Sequence, residues 1–134
     1  MRKNRICVSM VWAIMCVVLY TNVICAYAAD ISLLYDNTYT VSVSLEFLGE
    51  QALCKAVVVG ANDTKKITGT LRLYDNTSGE MVQAWSNYEE DAYYSISRNA
   101  SVVAGHSYTL TFSGYVYSND GNAEKITNTV TKNN

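Results

Sequence analysis

The stretch GHSYTLTFSGYVYSNDGNAEKITNTV, Gly105 to Val130, decides the fold class. One alternate set of its residues is Tyr108, Leu110, Phe112, Gly114 and Val116. The other is Ser107, Thr109, Thr111, Ser113, Tyr115 and Tyr117. Side chains alternate between the two faces of a strand, so this pattern predicts a long strand with one buried face. Two tyrosines, Tyr115 and Tyr117, then fall on the face that meets water. Asn119-Asp120-Gly121-Asn122 reads as a hairpin turn, and Lys125 to Thr131 returns as a closing strand with Ile126 and Val130 inward.

The same two-residue rhythm extends upstream, and no 3.6-residue pattern persists past Ala29. Val41, Val43, Leu45 and Phe47 alternate with Thr40, Ser42, Ser44 and Glu46. After Gly49-Glu50-Gln51, the run LCKAVVVG is apolar on both parities and predicts a strand covered on much of both faces. Ile67 to Tyr74 is a third strand, with Ile67, Gly69, Leu71 and Leu73 inward. Asp75-Asn76-Thr77-Ser78-Gly79 is a hairpin loop with a glycine for positive φ. Met81 to Trp85 is a fourth strand of ambiguous parity: either Met81, Gln83 and Trp85 or Val82 and Ala84 face in. Tyr88 to Ala92 reads as a polar connection, and Tyr93 to Ser97 with Ser101 to Val103 as one or two further strands. Seven or so short strands predict an all-β, antiparallel β-sandwich. Glu46, Lys55 and Lys125 are candidates for protecting its edges, and Asn133-Asn134 should be loose.

The chain opens MRKNR, then runs 24 residues without charge, Ile6 to Ala29. A basic start, an apolar middle and a small-x-small end predict a secretory signal peptide over residues 1–28, with Ala26 and Ala28 at the cleavage site. The competing reading is an uncleaved anchor, since such a run is long enough to span a bilayer. Thr21, Asn22 and the Ala-Tyr-Ala end favour cleavage. The expected product is one domain, residues 29–134, secreted and free of the membrane.

All 12 acidic residues but only 7 of the 10 basic ones lie beyond residue 28, giving 7 − 12 = −5 there. This predicts repulsion of nucleic acid and anionic polymers, with no basic run to offset it. Three of four cysteines precede residue 28. Cys54 alone remains, among Ala52, Ala56 and Val58 of its own parity. A small buried hydrophobe is expected, with an intermolecular disulfide as the alternative.

Catalytic chemistry finds few residues. His106 is the lone histidine, which excludes a multi-histidine metal site. A Ser–His–Asp set is formally available, but there is no nucleophile-elbow motif. Glu89-Glu90-Asp91 lacks the ligand spacing of a calcium loop and reads as solvated. No phosphate-cradling glycine loop occurs, and nothing implies a cofactor. Three N-glycosylation patterns, at Asn62, Asn76 and Asn99, bear only on a eukaryotic source.

The stretch Gly105 to Asn122 resembles the F strand and F–G turn of immunoglobulin-like and fibronectin-III-like domains. The resemblance implies a tyrosine corner at Tyr108, whose hydroxyl bonds back to preceding backbone. It also puts Cys54 roughly where an antibody domain carries its first cysteine; the second would fall at Leu110, so the disulfide is missing. The absence of proline is a further departure. ALCKAVVVG, ITGTLRLYDNTSGE and GHSYTLTFSGYVY together resemble small secreted β-sandwich proteins of Gram-positive bacteria, over about 85 residues from Thr40 to Lys125. This implies a fold and an extracellular destination, and transfers no catalytic residue.

Aromatic and cationic residues remain. If the third strand neighbours Ser107–Tyr117, one outer face collects Arg72, Tyr74, Tyr115 and Tyr117, bordered by Thr68, Thr70 and Lys125. Trp85 either joins it or belongs to the core. Such residues dominate recognition surfaces, although cross-strand aromatics also stabilise sheets. The expected function is non-enzymatic binding of a carbohydrate or protein outside the cell. The rivals are a structural component assembling through sheet edges or this Tyr-rich face and, more remotely, a hydrolase.

Overall fold

Hydrophobic alternation becomes two sheets facing one another. The computed structural model describes residues 35–134; the signal peptide expected over residues 1–28, with Ala26 and Ala28, lies outside the described residues. The strands are β1 (Thr38–Leu48), β2 (Gln51–Gly60), β3 (Thr64–Asp75), β4 (Glu80–Glu89), β5 (Tyr93–Ser101), β6 (Ser107–Ser118) and β7 (Ala123–Asn133). One sheet has the order β1-β2-β5, the other β4-β3-β6-β7. Every neighbouring pair is antiparallel. The chain folds as an all-β antiparallel sandwich, as its patterning predicts, with the immunoglobulin-like strand order that the resemblance implies.

The inward set is the one the alternation picks out. Leu45 of β1, Ala52, Cys54, Ala56 and Val58 of β2, and Ile67, Leu71 and Leu73 of β3 are buried. They join Tyr94 and Ile96 of β5, Tyr108, Leu110, Phe112 and Val116 of β6, and Ile126 of β7 in one cluster. Two tilted aromatic pairs bridge the sheets: Phe47 with Tyr108 at 5.6 Å and Tyr94 with Phe112 at 5.4 Å between ring centroids. Each contributes about 0.5–1.5 kcal/mol beyond its buried area. Cys54 is a fully buried free thiol. Burial pushes its pKa up to about 11, which leaves it inert as a nucleophile and out of reach of a partner thiol.

Gly69 and Gly114 face each other across β3 and β6. A Cβ on Gly69 would strike the Phe112 ring, and one on Gly114 would strike the Thr68 carbonyl. The missing side chains therefore let a phenyl ring lie over one strand and let the two backbones approach.

Tyr108 forms the expected corner. The Val103 N–H donates to its hydroxyl oxygen at 2.8 Å, and the hydroxyl donates to the Val103 carbonyl at 3.4 Å. Gly105 takes φ 79° in the intervening turn. At the other end of the turn, His106 Nδ1 meets Asp75 Oδ2 at 2.7 Å, and the His106 ring stacks on Tyr108. Asp75 Oδ1 also accepts the Thr77 and Ser78 N–H groups. Burial pulls the Asp75 carboxyl upward, but the bonds from His106, Ser78 and Thr77 outweigh it and hold the pKa below the ordinary value.

Several expectations need correction. The fifth strand is one element, Tyr93–Ser101. Arg98 breaks its alternation in the sequence, but β5 is an edge, so the guanidinium turns outward and donates to the Ser97 carbonyl. β4 runs on to Glu89, so Tyr88 is a strand residue. Its parity is ambiguous because the register shifts by one residue between Leu73↔Gln83 and Tyr74↔Met81. Val82 is left unpaired, and both Val82 and Trp85 pack on the core. The outer face of β2 is half-buried rather than covered. Lys55 sits on this central strand, so it guards no edge; Glu46 and Lys125 do lie on edge strands. Asn133 and Asn134 are tied down. Asn133 pairs with Ser107, the Asn134 N–H donates to the His106 carbonyl at 3.0 Å, and its side chain donates to the Gly49 and Val103 carbonyls. The β7 edge is further blocked by Tyr35, whose hydroxyl exchanges hydrogen bonds with the Thr127 backbone.

Two buried tyrosines make opposite predictions. Tyr94 is fully buried, its hydroxyl has no partner among the described residues, and burial pushes its pKa up to about 12. Tyr94→Phe should leave stability unchanged or raise it by about 1 kcal/mol, whereas Tyr108→Phe orphans the Val103 N–H and should cost about 1–2 kcal/mol. Urea midpoints of the two variants check this. Because the Asp75 pKa is depressed, its contribution is complete above the ordinary carboxylate pKa of about 3.9 and disappears as pH falls through the folded value. Denaturation followed from pH 6 down to pH 2 should show a shallower acid limb in Asp75→Asn than in the parent.

Candidate binding face on the four-stranded sheet

The pairing of β3 with β4 and β6 sets the outer face in rows. Thr68 lies between Tyr88 and Tyr115, and Thr70 between Ser86 and Ser113. Lys125 follows Tyr115 across β7. Strands are about 4.8 Å apart, so the two tyrosines stand about 10 Å from each other with only a threonine between them. Large residues beside small ones on one face make a trough. The structure holds a hollow of about 540 Å³ there.

Tyr88 and Tyr115, both exposed, line opposite sides of this hollow. Thr68, Thr70, Ser86 and Ser113 supply hydroxyls at its base, and Gly69 and Gly114 lie among them. The Thr70 and Ser86 hydroxyls are hydrogen-bonded to each other at 2.9 Å. Arg72 pairs with Thr111, but its guanidinium leans back to donate to Ser113 Oγ at 2.9 Å. Lys66 closes the opposite end. Its Nζ sits 5.3 Å from the centre of the Tyr88 ring and 5.8 Å from that of Tyr117, within cation–π range of both.

The sequence-predicted residues divide. Arg72 and Tyr115 are brought together in the hollow, and Thr68, Thr70 and Lys125 join them. Tyr117 supports the site from outside its lining. Its ring leans on Tyr115 at 6.2 Å and helps hold Lys66. Tyr74 is on the same face but pairs with Thr109, six residues along β3 from Thr68, or about 20 Å away. Trp85 is not on this face: it pairs with the inward Leu71 and packs on the core.

Sequence reasoning missed Lys66, Tyr88, Ser86 and Ser113. Lys66 precedes the point where hydrophobic alternation starts, and Tyr88 opens the stretch that the sequence reads as a polar connection. Continuing the Ser86–Tyr88 parity through to Glu89 would have found both members on β4. The absence of a basic run concealed a second feature. Lys66, Arg72 and Lys125 are scattered along the chain yet line one hollow, and among the described residues no carboxylate-bearing one lines it.

His106 and Asp75 form two members of a triad-like set, but no hydroxyl is hydrogen-bonded to the second ring nitrogen among the described residues. The pair sits beyond Tyr74, at the end of the sheet remote from the hollow. The acids Glu89, Glu90 and Asp91 do not converge: Glu89 accepts from Asn87, and Asp91 caps the Ala92 N–H. Among the described residues, no group of three or more histidine, cysteine or acidic side chains is arranged to hold a metal ion.

No family model and no curated protein matches the chain. Among solved structures, it is similar to a glycosyl hydrolase family 2 member from Bacteroides cellulosilyticus, with 13% identity and a TM-score of 0.37, over 68% of this chain and 13% of that one. It is also similar to catalytically inactive OgpA from Akkermansia muciniphila, solved with an O-glycopeptide substrate, with 14% identity and a TM-score of 0.36, over 75% of this chain and 32% of that one. The chain thus spans less than a third of either protein.

Proposed function

We propose that this protein is a secreted, non-enzymatic binding domain that takes a saccharide in the hollow between Tyr88 and Tyr115. The observation that carries the reading is the combination of two exposed aromatic walls with a hydroxyl base. A sugar ring has C–H faces that lie against an aromatic ring and a rim of hydroxyls that needs partners. A purely apolar ligand would fill the walls but leave the Thr68 hydroxyl, and the hydrogen-bonding capacity that Thr70, Ser86 and Ser113 retain beyond their mutual and Arg72 bonds, without partners, at a desolvation cost. Pockets that recognise small polar ligands combine aromatic lining with a few placed polar groups in this way.

Binding without turnover is supported by what lines the hollow. General acid–base or nucleophilic catalysis on a glycosidic bond calls for a pair of carboxylates a few ångströms apart, and among the described residues the lining includes neither carboxylate nor imidazole. Secretion is supported by the leader pattern of residues 1–28.

The test is a titration against a panel of soluble glycans by calorimetry, with thermal melts as the control for folding. Tyr88→Ala and Tyr115→Ala should each weaken binding by roughly tenfold or more and shift the melt little. Tyr74→Ala, remote on the same face, should bind like the parent. Loss of stability in step with loss of binding would assign the two wall tyrosines to sheet packing instead.

A further inference from the structure

We infer that the saccharide bound in this hollow is an acidic one, carrying a carboxylate or a sulfate ester; the inference rests on the saccharide reading above. Beyond residue 28 the chain has 12 acids and 7 bases. A random choice of surface on such a chain would show more carboxylates than cations. The hollow does the reverse: among the described residues its lining has three of the seven cations and no carboxylate.

Those cations are also unpaired. Among the described residues, the one pair of opposite charges in contact is His106 with Asp75, so Lys66, Arg72 and Lys125 have no carboxylate within bonding distance. Lys66 is instead positioned by two aromatic rings, contacts that leave its N–H donors available. Arg72 uses a guanidinium nitrogen on Ser113, and the fork retains donors for a bidentate acid. Lys125 is exposed beside Tyr115. An aromatic-walled trough with three uncommitted cations complements a sugar ring whose substituent is an anion.

The protein's overall negative charge does not oppose this. Charges more than about 8–10 Å apart in physiological salt are largely screened, so the local field of the hollow decides what docks there.

The test is calorimetry of the protein with dextran, dextran sulfate, polygalacturonate and polyglutamate, which separate neutral sugar, sulfate, sugar carboxylate and peptide carboxylate. Polygalacturonate or dextran sulfate should bind, dextran should not, and raising salt should weaken the complex. The tighter of the two acidic polymers identifies the acid. Lys66→Gln, Arg72→Gln and the exposed Lys125→Gln should each reduce that affinity roughly tenfold, with Lys66→Arg retaining it. Dextran binding as tightly as the acidic polymers overturns the charge inference and leaves the saccharide reading standing. Polyglutamate binding as tightly as polygalacturonate overturns selectivity for an acidic sugar. Silence toward every glycan overturns both. If a variant melts early, the salt dependence of the parent and the Lys125→Gln titration still decide the matter.

Discussion

The pairing of β3 with β6 fixes both faces of the four-stranded sheet at once. Eleven residue pairs run from Thr64↔Ser118 to Asp75↔Tyr108. On the inside, this register sets Gly69 opposite Gly114 and lets the Phe112 ring occupy the space a side chain would need. On the outside, the same register sets Thr68 beside Tyr115 and Thr70 beside Ser113. A slip of one residue would turn every inward side chain to solvent. It would also bring a side chain under the Phe112 ring. Core packing therefore holds the outer face in place, although no outer residue contributes to the core.

The ends of this pairing are secured by local chemistry. Tyr108 bonds back across the β5–β6 connection, Asp75 clasps the β3–β4 turn and His106 together, and Asn134 ties onto the β5–β6 connection. At the far edge, Glu124 accepts hydrogen bonds from the Asp36 and Asn37 N–H groups and the Thr38 hydroxyl, and Asn128 donates to the Val41 carbonyl. These side-chain links cross between β1 and β7, where the two sheets have no ladder to join them. They also occupy backbone groups that an open edge would offer to another chain.

The candidate hollow combines two features that averages conceal. The chain is acidic beyond its first 28 residues, but charge recognition operates over about a Debye length, and within that range the hollow is lined by cations. The sheet is rich in aromatic residues, but Trp85 and Tyr94 serve the core while Tyr88 and Tyr115 face the hollow. What distinguishes these roles is the strand parity of each residue, together with the one register shift in β4.

The sequence by itself determined the sandwich class, the inward faces of β1, β3, β6 and β7 and the buried Cys54, and the resemblance to immunoglobulin-like domains added the tyrosine corner; the extents of β4 and β5 came from the structure. Alternation with period two and turn residues are local signals, and each strand carries its own. It also marked Arg72 and Tyr115 as sharing a face, because both strands alternate cleanly. It did not resolve Trp85, since the irregularity that turns both Val82 and Trp85 inward depends on pairing with β3. Nor did it join Lys66 and Tyr88 to the site, because both lie where hydrophobic alternation fades at a strand end. Only the tertiary structure decided that Tyr74 stands apart and that three scattered cations meet. Which residues share a row depends on inter-strand register, a long-range property that no single strand encodes.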